Sequence, residues 1–410
     1  MRSALSLHKM RDLCEITSSK RIYASDYKLD GVPFYRGKEI SEKHRGNLDV
    51  STELFIDREK FEQIRAKFGV PQAGDLLLTS VGSLGSPYMV REGEEFYFKD
   101  GNLTWFRNFN NLTSQYLYYW LLSPQGRNEL SKCTIGSSQP AYIIVLLKEM
   151  EIDLLPIPTQ RKIAAILSNY DDLIENNLRR IKILEEMAQN LYREWFVHFR
   201  FPGHENVKLV ETSQGLVPEG WEVKKLGELI DFSKGKKPTH TAPFGDIPAL
   251  LIESLNNGVT EYTNDKKIII AEKYDVVMVM DGASSGKVYI GQYGAVGSTL
   301  GRYRPKISGN FSPFHLYFFL IENIQAISDN NIGSAIPHAN KNYINQMEVV
   351  LPGNEIEKSL NEIVDPIINF IRVLKVKNEN LARTRDLLLP KLISGELDVS
   401  EIDFDIEVNK

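Results

Sequence analysis

Along residues 159–200 the apolar positions alternate spacings of four and three: Ile163, Leu167, Tyr170, Ile174, Asn177, Ile181, Leu184, Ala188, Leu191 and Trp195, with Asn177 the polar exception. This is the a/d seam of a coiled coil. Thr159 followed by Gln160 to Lys162 reads as a helix start, and neither Gly nor Pro recurs until Pro202, so a helix of about 40 residues is predicted. Adding 197 to each number gives Leu360, Val364, Ile367, Ile371, Leu374, Asn378, Leu381, Arg385, Leu388 and Leu392, a second seam in the same register, with Pro366 placed to kink its early part. Each seam holds one asparagine, Asn177 and Asn378, at different heights; a polar residue there fixes register at some cost in stability. The two helices pair most economically with each other. An antiparallel pair would put the domains that precede them at opposite ends, about 50–60 Å apart at 1.5 Å per residue.

Ahead of each helix the pattern changes to short apolar or β-branched runs bounded by Gly, Asn, Ser and Asp, such as Leu76-Leu77-Leu78-Thr79 and Asp275-Val276-Val277-Met278-Val279. These stretches match each other in order. Lys9-Met10-Arg11-Asp12-Leu13 answers Lys225-Leu226-Gly227-Glu228-Leu229, Pro33 answers Pro248, Gly74-Asp75 answers Tyr274-Asp275, and Gly82 answers Gly282. Gly136-Ser137-Ser138-Gln139-Pro140 then matches Gly333-Ser334-Ala335-Ile336-Pro337, and Leu155-Pro156 matches Leu351-Pro352. The offset falls from 216 between Lys9 and Lys225 to 196 between Leu155 and Leu351, so the second copy is shorter in its loops. The expected fold is α+β: two tandem, β-rich mixed domains (1–155 and 216–351) and two helical spacers (156–215 and 352–410), paired as an intramolecular antiparallel coiled coil with pseudo-two-fold repetition.

Composition narrows the function classes. With 42% hydrophobic and 25% charged residues the 410-residue chain is that of an ordinary soluble globular protein. Neither an apolar leader region nor a long uninterrupted apolar run is present, which points to a cytoplasmic protein without membrane contact. Cys14 and Cys133 are too few for a disulfide framework and too far apart for a metal knuckle, so both read as plain thiols. A formal charge of −5 argues against coating nucleic acid by bulk attraction and leaves room for local basic patches.

Catalytic motifs are wanting. Gly282-Ala283-Ser284-Ser285-Gly286-Lys287-Val288 carries the Gly-Lys of a phosphate-binding loop, but Asp281 stands where that pattern needs Gly, and Val288 where it needs Ser or Thr. Zinc-binding His-Glu-x-x-His helices and the Asn/Asp-Pro-Pro-aromatic tetrad of DNA amino-methyltransferases do not occur. No catalytic residue and no metal ligand is expected.

The chain resembles the specificity subunits of type I restriction-modification systems. The residues that carry the resemblance are Leu155-Pro156-Ile157-Pro158-Thr159-Gln160-Arg161-Lys162-Ile163, Leu184-Glu185-Glu186-Met187-Ala188-Gln189-Asn190-Leu191-Tyr192-Arg193-Glu194-Trp195-Phe196, Val217-Pro218-Glu219-Gly220-Trp221, and Arg385-Asp386-Leu387-Leu388-Leu389-Pro390-Lys391-Leu392-Ile393-Ser394-Gly395-Glu396-Leu397. Thr159 departs from the Glu that often precedes the Gln in that family. The resemblance implies a non-catalytic DNA-recognition subunit of a phage-defence system. Two target recognition domains would each read half of a bipartite double-stranded target, and the helices would set the spacer and dock two methyltransferase subunits and, through them, restriction-translocase subunits. It implies no cofactor in this chain: S-adenosylmethionine would belong to the methyltransferase, ATP and Mg to the restriction subunit. A duplicated adaptor that does not bind DNA is the alternative.

Phosphate donors and base-reading side chains should recur at matching places while differing in identity. Two places satisfy this. After the first repeat anchor, Ser18-Ser19-Lys20-Arg21 faces Ser233-Lys234-Gly235-Lys236-Lys237; before the last strand, Ser137, Ser138 and Gln139 face Ser334-Ala335-Ile336, followed by His338, Asn340 and Lys341. The glycine turn adds Thr79, Ser80 and Ser83 in one copy, Asp281, Ser284, Ser285 and Lys287 in the other, with Arg302 and Arg304 downstream. Phe96-Tyr97-Phe98 and Tyr317-Phe318-Phe319 read better as core than as stacking platforms.

Overall fold

The computed structural model describes residues 6–47, 50–258, 261–306, 311–333 and 336–399. Ser334 and Ala335 of the second glycine motif lie outside them. The chain divides into two compact units, Met1–Glu175 with Asn380–Lys410, and Asn176–Glu379.

The first unit holds two four-stranded sheets. In one the order is Glu15–Thr17, Leu103–Arg107, Leu76–Thr79 and Pro87–Met89, all antiparallel. Leu76–Thr79 is buried at every position, as its unbroken apolar run requires for a strand covered on both faces. The other has Tyr27–Lys28, Phe55–Ile56, Val32–Tyr35 and Tyr97–Phe98, the last two parallel. Ser6–Lys9 pairs with Glu151–Leu154 and closes the domain on itself.

The second unit repeats this plan. Its main sheet runs Ile230–Lys234, Leu300–Pro305, Val276–Val279 and Val288–Tyr289, again antiparallel throughout. Ile247–Leu250 lies parallel to Gly294–Val296, as Val32–Tyr35 does to Tyr97–Phe98, and Glu222–Lys225 pairs with Glu348–Leu351. The falling offset has a structural cause: the first copy inserts the helix Arg58–Phe68 between its second sheet and Leu76, where the second copy runs from Thr263 to Val276 without a helix.

Local hydrogen bonds explain the repeat anchors. Asp75 and Asp275 both close a turn onto the backbone N–H three residues earlier, at 2.9 Å from Gln72 and 2.8 Å from Glu272. Gly136 and Gly333 both have positive φ, 84° and 92°. A Cβ there would meet the carbonyl oxygens of Gln139 and Ile336 at 2.8 and 2.6 Å, so only glycine fits either turn.

The long helices span Ile157–Tyr192 and Asn354–Ile393, the second unbroken through Pro366. The first starts two residues before the predicted Thr159, because Pro158 sits in the first turn, where its missing N–H costs nothing. Each helix lends one end to each unit. In the first unit Ile163 and Leu167 share a core with Leu389, Leu392 and Ile393, and Arg385 holds the Asp171 carboxylate, which also accepts from the Tyr119 hydroxyl at 2.6 Å. In the second, Ile181 and Ala188 pack with Leu360, Val364, Ile371 and Leu374, and Lys375 reaches Glu185 at 3.4 Å. Numbering rises along one helix as it falls along the other, so the pair is an intramolecular antiparallel coiled coil. The Asn177 amide donates to the Asn378 oxygen at 2.7 Å. Their unequal heights in the repeat become equal in the antiparallel pair. The second seam is wider than a strict 4,3 stripe: Ile368 and Leu389 are buried beside the half-buried Ile367 and Leu388.

Each long helix is keyed to its own unit by one buried side chain. Gln160 accepts from the Thr113 N–H (2.9 Å) and donates to the Asn111 and Leu155 carbonyls (3.0 and 2.8 Å). Glu357, 197 residues on, accepts from the Ser312 N–H (2.7 Å) and from Nδ1 of His315 (2.9 Å).

Candidate nucleic-acid interface

One end of the main sheet collects the candidate segments. Thr17 lies opposite Trp105, Thr79 opposite Leu103 and Leu78 opposite Pro87, so the chain leaves toward 18–21 and 80–86 at the same end. The hairpin Thr134–Ile135 with Ala141–Tyr142 joins them there: Val81 bridges Ala141, and the Tyr142 N–H donates to the Ser80 carbonyl at 3.0 Å. Ser137, Ser138 and Gln139 form its exposed tip; Ser83, on the 80–86 turn, is exposed as well, and its carbonyl accepts from the Thr79 hydroxyl.

Lys20 and Arg21 are exposed at the strand exit. The Lys20 N–H is anchored on the Tyr97 hydroxyl at 2.7 Å while its ammonium lies 4.8 Å from the centre of the Phe68 ring. Arg21 pairs with Asp100 at 3.2 Å, an ion pair open enough to be exchanged.

The second unit places the same segments alike. Lys234 lies opposite Gly301 and Val279 opposite Leu300, and strand register makes Lys236 and Lys237 the counterparts of Lys20 and Arg21. Both are exposed, and the Lys236 N–H is anchored on the Val296 carbonyl at 3.0 Å. Asp281 bridges His338 as Val81 bridges Ala141, and the Ala339 N–H donates to the Met280 carbonyl at 2.8 Å.

Here the copies part chemically. Asp281 accepts from Lys234 Nζ at 2.6 Å on one oxygen and from His338 Nδ1 at 2.8 Å on the other. Burial works against this carboxylate, but the two hydrogen bonds prevail and hold it below the ordinary range. Lys341 lies 4.5 Å over the Phe232 ring, on the strand that ends in Lys234. Lys234 and His338 are thus brought together on Asp281.

Lys287 reaches Asn256 at 3.2 Å and covers the Tyr289 ring. Ser285 is buried with its hydroxyl on the Met280 carbonyl (3.3 Å), while Ser284 is exposed on the same turn. Asn340 caps the helix Lys341–Gln346 by accepting from the Tyr343 N–H at 3.2 Å. The Gly-Lys segment joins two antiparallel strands, where a phosphate-binding loop opens a helix. Arg304 is held by Asp275 at 2.5 and 2.6 Å, and Arg302 donates to the Ile270 carbonyl at 2.9 Å, so both brace the sheet. Phe96, Tyr97, Phe98, Phe318 and Phe319 are buried, and Tyr317 packs against the core.

Arg127 escaped the sequence reading. Its guanidinium donates to the Gly85 carbonyl at 2.8 Å, behind the turn that carries Ser83. At the matching place Ile327 lies 3.4 Å from the Cβ position of Gly286, and that exchange of a cation for an apolar residue was the available signal.

Among the described residues no group of three His, Cys, Asp or Glu side chains could hold a metal, and no helix is long and apolar enough to cross a membrane. Cys14 and Cys133 are buried, and burial pushes their thiols up to about 12 and about 11, which disfavours the nucleophilic thiolate.

A family model described as the type I restriction modification DNA specificity domain matches residues 7–186 and 218–383, once per copy. A specificity subunit of the type I restriction enzyme MjaIX from Methanocaldococcus jannaschii is 27% identical over 350 residues, covering 80% of this chain and 79% of its own length. The MjaVIII specificity subunit of the same organism is 25% identical, with 92% and 93% covered. The crystal structure of a type I S subunit from M. genitalium superposes with a TM-score of 0.58 at 16% identity over 94% of this chain and 95% of that one, and so shares the fold.

Proposed function

The chain belongs to the type I restriction-modification DNA specificity family, whose subunits recognise DNA without catalysing, and from that premise we propose that each unit reads one half of a bipartite double-stranded target. The carrying observation is the pairing of sameness and difference at one sheet end. Lys20-Arg21 and Lys236-Lys237 occupy equivalent strand exits and suit phosphate binding, which positions a protein without reading sequence. Around them the polar groups differ: Ser83, Ser137, Ser138 and Gln139 in one unit, Lys234, His338 and Lys341 in the other. Two half-sites of unlike sequence call for that.

The paired helices fix the separation of the half-sites and dock two methyltransferase subunits, through which restriction-translocase subunits join. S-adenosylmethionine is bound by the former, ATP and Mg by the latter, in the cytoplasm.

The test is binding of the assembled methyltransferase complex to duplex DNA as salt is raised. The reading predicts affinity that falls steeply and linearly on logarithmic axes, by a slope of roughly 0.9 per neutralised phosphate. A stable complex without salt-dependent binding would leave a duplicated adaptor as the account.

A further inference from the structure

We propose that His338, oriented by Asp281 and Lys234, is a base-reading side chain of the second unit, and that the first unit has no equivalent. The inference rests on the DNA-reading function above and goes further by assigning one residue to one half of the target.

Register makes the comparison strict. The backbone ladder that joins 80–81 to 141–142 recurs between 280–281 and 338–339. At these places the first unit has Val81 and Ala141, the second Asp281 and His338. By the strand pairings Lys234 falls where the first unit has Ser18. Three apolar or small uncharged residues have therefore been exchanged for a hydrogen-bonded triad, within a frame otherwise preserved.

The triad's geometry suits a reader. Asp281 has both oxygens occupied, one by each partner, so its charge is spent on orientation. The imidazole takes that bond through Nδ1, and among the described residues Nε2 has no hydrogen-bond partner. The His338 side chain is 44% exposed, against 28% for Asp281 beneath it. In the neutral ring an Nδ1–H given to Asp281 leaves a lone pair on Nε2, which accepts from the major-groove amino group of adenine or cytosine. A fixed ring reads geometry that a free one cannot, because its orientation is settled before DNA arrives. Asp281 and Lys234 are positioning residues here.

The test compares methylomes of a methylation-deficient host carrying the cognate methyltransferase with the wild-type chain, His338→Ala, Asp281→Asn or His338→Gln. The wild type should give a bipartite motif. His338→Ala should lose discrimination, by about tenfold, at one base pair of one half and leave the other half unchanged. Asp281→Asn should weaken the same position to a smaller degree, which a merely structural role, acting on the amount of complex, would not do. If His338→Ala yields no soluble complex, His338→Gln is read in the same way, expected to alter preference at that one position. A wild-type motif with both halves unchanged in the soluble variants, or with relaxation spread over both halves, would overturn the assignment. If the wild type itself yields no motif, the DNA-reading function fails and the assignment falls with it.

Discussion

Removing the Glu357 carboxylate should release the second long helix from the domain it serves. Glu357 is 1% exposed, its oxygens accepting from the Ser312 N–H at 2.7 Å and from His315 Nδ1 at 2.9 Å. Each hydrogen bond to a charged group is worth about 1.5–3 kcal/mol, and stranding both buried donors brings the expected loss for Glu357→Ala to about 3–5 kcal/mol. Glu357→Gln keeps an oxygen for Ser312 and can give its amide hydrogen to Nδ1 once the imidazole proton moves to Nε2, so about 1–2 kcal/mol is expected. Burial disfavours the Glu357 carboxylate, yet the His315 ring and the Ser312 donors outweigh it and hold the group below its ordinary 4.5. A folded-state value lower than the unfolded one means the stabilisation is complete above about 4.5 and is lost as pH falls through the folded value. Hydrogen exchange across Pro313–Glu322, with urea unfolding of the same samples, measures this directly. Protection of that helix in Glu357→Ala within about 0.5 kcal/mol of wild type, an ordinary surface-substitution effect, would refute the reasoning.

Four further outcomes follow. Asn177→Leu alone should destabilise the helix pair by about 1 kcal/mol by leaving Asn378 without its partner amide, while Asn177→Leu with Asn378→Leu should recover or exceed wild-type stability and admit shifted registers; a double-mutant cycle by urea unfolding decides. Gly136→Ala and Gly333→Ala should each strain their turn by roughly 1–3 kcal/mol and lower DNA affinity without disturbing the helices, seen as local loss of exchange protection. Replacing Lys236 and Lys237 by Ala should reduce the salt slope of DNA binding by roughly 0.9 for each phosphate no longer neutralised and leave the recognised sequence intact. Gln160→Glu should be more harmful than Gln160→Ala, because a carboxylate would face the Asn111 and Leu155 carbonyls that the amide now serves; complex yield and thermal unfolding report it.

The duplication, the two seams and the glycine turns were legible because each rests on a local rule that spacing or residue type exposes. A 4,3 stripe leaves its period in the chain, and Gly136 and Gly333 stand where any Cβ would strike a carbonyl. The meeting of Asn177 and Asn378 was hidden, since translation along the repeat puts them four residues apart and only antiparallel pairing levels them. Ser285 and Asn340 show a limit of another kind. Residue type marks them as polar, but their hydroxyl and amide are spent on Met280 and on a helix cap, and sequence does not reveal which polar groups local backbone consumes. Asp281 and His338, 57 residues apart, were both marked as candidates, yet their union depends on a bridge that only the fold supplies. Arg127 sits in a helix of ordinary polarity, and its reach to Gly85 left no periodic trace.

The most direct test of a two-part DNA reader is the methylome of a methylation-deficient host given this chain together with its cognate methyltransferase. The account predicts a new motif of two specified segments separated by unspecified bases, absent when the chain is omitted. A stable complex that leaves the methylome unchanged, or that marks one uninterrupted short sequence, would contradict it.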